Sequence, residues 1–113
     1  MKRSDIVPTL EEQENLLTLT MQQVRDAWGY AKLGIHVRRQ ISNDLRGMGI
    51  GHYPVDLPEY QHQFVRLYKL GTSVARIHEA VLNPSVENDH ELRQMAGGDA
   101  RATLDKIKAL VCE

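Results

Sequence analysis

Apolar residues recur through the first half of the chain at alternating steps of four and three: Leu17, Met21, Val24, Trp28 and Ala31. That spacing places them on one face of an α-helix as a continuous seam. Val7-Pro8-Thr9 stands ahead of it, with Thr9 positioned to cap and Glu12 three residues later to complete a capping box. Glu11, Glu12 and Glu14 add negative charge where the helix dipole is positive. No proline interrupts residues 9–46. Gly29 and Gly34 each weaken a helix by only about 1 kcal/mol relative to Ala. Beyond Gly34 the seam shifts to Val37, Ile41, Leu45 and Met48. The pattern predicts a helical segment over residues 9–47, either long or kinked near Gly34.

Residues 47–58 hold three of the eight glycines and two of the four prolines, so a connection is expected over 48–57. Residues 58–112 then read as short helices. Tyr60, Phe64, Leu67 and Tyr68 share a helical face, and Gly71 is placed to end it. Thr72 or Ser73 would cap a helix carrying Val74, Ile77, Val81 and Leu82, stopped by Asn83-Pro84. Ser85 opens a segment with Leu92, Met95 and Ala96 inward, and Asp99 opens a last one with Leu104, Ile107 and Val111. Nowhere do four or more β-branched or aromatic residues alternate with polar ones, so no strand is expected. The fold class predicted is all-α: a single domain over residues 1–113, a helical bundle of one long N-terminal helix and three or four shorter C-terminal helices.

Composition narrows the setting without naming a function. Apolar residues make up 42% and charged ones 26%, the balance of a globular chain. A net charge of −1 supplies no global attraction to nucleic acid or membrane. The single cysteine, Cys112, excludes an intramolecular disulfide and fits a reducing cytoplasm. No apolar run approaches the roughly 20 residues of a membrane span, and Met1-Lys-Arg-Ser-Asp5 lacks the apolar stretch of a secretory signal.

Candidate chemistry is sparse. Gly47-Met-Gly49-Ile-Gly51 has glycine spacing suggestive of a phosphate loop, but the strand-before, helix-after context that such a loop requires is not predicted. Glu59-Tyr-Gln-His62 and Glu87-Asn-Asp-His90 have the i, i+3 spacing of carboxylate-bridged metal bundles. Both fall at expected helix starts, where acidic residues answer the dipole, so neither a metal nor another cofactor is expected. No nucleophile stands in an elbow motif, and enzyme activity is not expected. The most basic stretch is 25–46, with Arg25, Lys32, Arg38, Arg39 and Arg46 against Asp26 and Asp44.

Val65-Arg-Leu-Tyr-Lys-Leu-Gly71-Thr-Ser73-Val74-Ala75-Arg-Ile77 resembles the opening of a resolvase-type helix-turn-helix. That resemblance implies DNA binding through residues 73–95, with Arg76 and Arg93 as contacts. The chain departs from the pattern at His78, in the long turn at Leu82-Asn83-Pro84-Ser85, and in the acidic start Glu87-Asn-Asp-His-Glu91, which phosphates would repel.

The leading expectation is therefore a non-enzymatic helical protein acting by protein–protein interaction, either self-associating or regulating a partner complex, as phage and mobile-element accessory proteins do. A 35-residue helix would be about 50 Å long, and short helices could not cover all its apolar positions. Trp28, Tyr30 and Leu33, beside Leu16 and Leu19, would form an exposed patch that a second copy covers, giving a homodimer. Arg38 and Arg39, with His52 and Tyr53 in the connection, complete the expected contact residues. A DNA-binding regulator is the alternative.

Overall fold

The computed structural model describes residues 1–96, and the chain it shows is mixed α/β rather than all-α. Five helices accompany a three-stranded antiparallel sheet among the described residues: α1 (Ile6–Glu12), β1 (Leu16–Thr20), α2 (Met21–Trp28), α3 (Ile35–Gly47), β2 (Ile50–Tyr53), β3 (Phe64–Lys69), α4 (Ser73–Leu82) and α5 (Val86–Met95). Contacts divide them into two compact units, residues 1–70 and the chain from Gly71 onward.

The long N-terminal helix does not exist. The segment 9–47 contains three helices and a strand. Helix α1 ends where Glu14 and Asn15 take left-handed backbone conformations, φ 58° and 68°, which non-glycine residues seldom adopt and Asn tolerates best. The chain then extends as Leu16-Leu-Thr-Leu-Thr20, pairing with β3 in the register Leu17↔Leu67 and Leu19↔Val65. Strand order is β1-β3-β2, with His52 opposite Leu67 on the other side of β3. Leu17, Leu19, Val65 and Leu67 line the inner face; Thr18, Arg66 and Tyr53 share the outer one. Residues 60–68, whose spacing predicts a helix, are thus the end of a hairpin loop and most of the central strand.

Helix α2 starts at a capping box, in which Gln23 N–H donates to Thr20 Oγ1 and Thr20 N–H to Gln23 Oε1. It ends at Gly29, φ 75°. There Gly29 N–H reaches Asp26 O and Tyr30 N–H reaches Arg25 O, both at 3.1 Å, a Schellman closure. Residues 29–34 turn the chain into α3.

Among the described residues the main buried cluster lies within the first unit. Ile6 and Leu10 of α1, Leu19 of β1, Met21, Val24 and Ala27 of α2, Ile41 and Leu45 of α3, Ile50 of β2, and Val65 and Leu67 of β3 converge, together with Leu57 from the hairpin loop. In the second unit Thr72 caps α4 and Ser85 caps α5 through their side-chain oxygens, where the sequence places those caps. The expected final helix from Asp99, with Leu104, Ile107 and Val111, and Cys112 fall outside the described residues. No helix among the described residues is long and apolar enough to cross a membrane.

Candidate nucleic-acid interface

Helix α3 sorts its side chains cleanly. Ile41 and Leu45 are fully buried, and Val37 and Met48 pack against the same core. On the opposite side His36, Arg39, Gln40, Asn43 and Arg46 are exposed. Steps of three and four residues keep these five on one face. From His36 to Arg46 the face runs about 15 Å at 1.5 Å per residue. Among the described residues His36, Arg39, Asn43 and Arg46 have no side-chain partner, whereas Gln40 Nε2 donates to Asp44 Oδ1 at 2.8 Å.

Asp44 is the only acidic residue on α3, and its charge is engaged. Its Oδ2 accepts from Trp28 Nε1 at 3.0 Å and from Arg3 Nη1 at 3.1 Å. Arg3 also lies over the Trp28 ring, 5.8 Å from its centroid, within cation–π range. One carboxylate thereby joins the N-terminal turn, α2 and α3. The exposed face of α3 is left with Arg39 and Arg46, the polar His36, Gln40 and Asn43, and the exposed Ile35 near its start.

Adjacent arginines divide their work. Arg38 is half-buried, donating from Nε to Leu33 O at 3.0 Å and from Nη1 to Leu57 O at 3.3 Å, with Glu59 3.9 Å away. It ties α3 to the turn before it and to the hairpin loop. Arg39, one residue on, points outward. His52 makes a second tie. A carbonyl can only accept, so His52 Nδ1–H donates to Pro54 O at 2.7 Å. That leaves Nε2 to accept from Ser42 Oγ at 2.8 Å, with the tautomer set by its partner. Two grooves of about 360 and 270 Å³ flank the seam between α3 and the hairpin, one touching Arg39 and Asp56, the other Arg46 and Tyr68.

The hairpin itself is poor in positive charge. Residues 54–63 contain Asp56 and Glu59 and no Lys or Arg. Glu59, beside the Tyr60 hydroxyl, raises the Tyr60 pKa above the usual phenol value by hydrogen bonding and by charge. The Tyr60 and His62 rings stack with centroids 5.9 Å apart.

The contact residues expected from sequence scatter. Trp28 and Leu33 pack on the core and Leu19 is buried, so the apolar patch does not form; of its members Tyr30, 36% exposed, reaches solvent most. The reason for expecting a homodimer goes with it. Tyr53 is exposed on the outer sheet face, while Arg38 and His52 hold the hairpin. The resolvase-like motif also falls: Phe64–Lys69 is a strand where that motif needs a helix. Arg76 forms an ion pair with Glu91, and Arg93 is exposed in the last turn of α5. Glu59 and His62 lie in the hairpin loop rather than on a helix, and no three His, Cys, Asp or Glu among the described residues are grouped to hold a metal. What sequence reasoning missed is Gln40 and Asn43, and that Arg46, part of the basic stretch, shares their face. The signal was present: these are the polar positions left over once Val37, Ile41, Leu45 and Met48 are assigned inward. Comparison with known protein families, with curated proteins and with solved structures finds no match to this chain.

Proposed function

We propose that the unit formed by residues 1–70 binds duplex DNA, laying α3 in the major groove. The observation that carries this reading is the exposed face of α3, where His36, Arg39, Asn43 and Arg46 stand without partners among the described residues and the helix's only carboxylate is engaged elsewhere. The major groove, about 12 Å wide, admits one α-helix. The surroundings support it. Two successive helices are set by one turn, the second is presented outward, and an antiparallel hairpin follows, in the chain order of a winged helix-turn-helix. That is a fold-level analogy and carries less weight than the residues on the helix. The turn at 29–34 is longer than the 3–4 residues of the tightest helix-turn-helix pairs. DNA binding through Arg76 and Arg93, which the resolvase-like motif implied, has no such support.

The test is fluorescence anisotropy of labelled random-sequence duplex at low salt. Wild-type protein should bind with micromolar affinity and Arg39→Ala/Arg46→Ala should bind at least tenfold more weakly. Equal binding by the two, or none by the wild type, would sink the reading.

A second reading, self-association or partner binding, is favoured by the hairpin: Val55, Tyr60 and Phe64 are 80%, 58% and 66% exposed. Exposed apolar side chains of that size on adjoining segments suit a protein contact. Light scattering across micromolar concentrations should give a mass above one chain, lowered by Phe64→Ser; a constant single-chain mass would remove it.

A further inference from the structure

Resting on the DNA-binding reading, we propose that α3 reads sequence through Arg39 and Asn43, with guanine the base for Arg39 and adenine the base for Asn43, while Arg46 and Lys32 hold phosphates. The division follows from position and chemistry. Recognition helices contact base edges with their N-terminal and middle residues. Arg39 and Asn43 are the fifth and ninth residues of α3, whereas Arg46 lies in its last turn and Lys32 in the preceding turn. A guanidinium matches the O6 and N7 acceptors of guanine, and a carboxamide pairs its oxygen and N–H with N6–H and N7 of adenine.

The neighbours argue against other assignments. Arg38 is held by the carbonyls of Leu33 and Leu57 and cannot reach outward without releasing the hairpin. Gln40 donates an amide hydrogen to Asp44 Oδ1, while Asp44 Oδ2 accepts from Trp28 and Arg3. Arg39 and Asn43 differ by four residues, about 6 Å along the helix. The guanine and the adenine therefore lie within about two base pairs of one another, at 3.4 Å per pair.

Binding-site selection from a randomised duplex with the full chain tests this. Wild-type protein should enrich one motif with a guanine and an adenine at that separation. Arg39→Ala should lose the preference for guanine and keep the adenine; Asn43→Ala should do the reverse. Arg46→Ala should weaken binding to every duplex alike, keep the motif, and reduce the salt slope by about one. Circular dichroism melts within a few degrees of wild type would verify that each exposed-site variant is folded. Retention of the guanine by Arg39→Ala, or binding with no enriched motif, overturns this inference and leaves DNA binding standing. Absence of duplex binding by wild-type protein overturns both.

Discussion

Arg38 and Arg39 are indistinguishable by composition and neighbours in sequence, yet the fold gives them opposite jobs. Arg38 satisfies two backbone carbonyls in a partly buried site, so Arg38→Ala should lose about 1–3 kcal/mol of stability, the cost of leaving such acceptors unpaired. Arg39→Ala should stay within about 0.5 kcal/mol of wild type, as exposed substitutions do, while weakening DNA binding. Urea denaturation of the two variants checks the first contrast; equal midpoints would contradict it. Asp44 makes the same point from the acidic side. With Trp28, Arg3 and Gln40 all donating to it, Asp44→Ala should destabilise by about 1–3 kcal/mol. A lower midpoint with an unchanged m-value is the expected signature. The basic stretch 25–46 was legible in sequence, but which of its arginines face outward was not, because that depends on Leu57 arriving from a distant loop.

At the scale of elements, sequence reading located helix ends better than it identified strands. The caps at Thr72 and Ser85 and the stop before Pro84 are local chemistry, read within four residues. Strand β1 is different. Leu16-Leu-Thr-Leu-Thr20 has residues that also propagate a helix, and its state is decided by pairing with β3 more than forty residues away. Val65 and Leu67 do alternate with Arg66 and Tyr68, a period of two. Their place among Tyr60, Phe64 and Tyr68, which also fit a period near four, masked it. At Gly51 a Cβ would stand 2.4 Å from the Tyr68 ring, so the ring lies directly over the glycine in the neighbouring strand. Gly51→Ala should therefore destabilise by about 1–3 kcal/mol as an overpacking change. Most of that cost should vanish in a Tyr68→Ala background, a coupling that a double-mutant cycle measures. Additive effects would mean that the ring is not what the new methyl meets.

For the whole molecule, the net charge of −1 and the DNA-binding proposal meet at one number. Lys32, Arg39 and Arg46 are the exposed full charges on α3 and its leading turn; with Arg39 on a base about two phosphates are neutralised there, and three at the upper limit. The logarithm of the duplex-binding constant should then fall with the logarithm of salt at a slope no steeper than about −3. A slope near −6 in a titration from 50 to 200 mM salt would place other cations on the DNA. The unit that carries α3 also closes its own core: every residue of the buried cluster lies between Ile6 and Leu67. A fragment of residues 1–70 is thus expected to fold alone. A unit of that size holds only about 3–5 kcal/mol of stability from its core, comparable to the 2–5 kcal/mol that Leu67→Ala would remove. The fragment should unfold in urea as one sigmoidal transition and bind a single-site duplex within about threefold of the full chain, less than 1 kcal/mol apart. Leu67→Ala in the same fragment should abolish the transition. A fragment that melts without cooperativity would mean that contacts beyond Leu70 complete the core, and DNA reading would then belong to the chain as a whole.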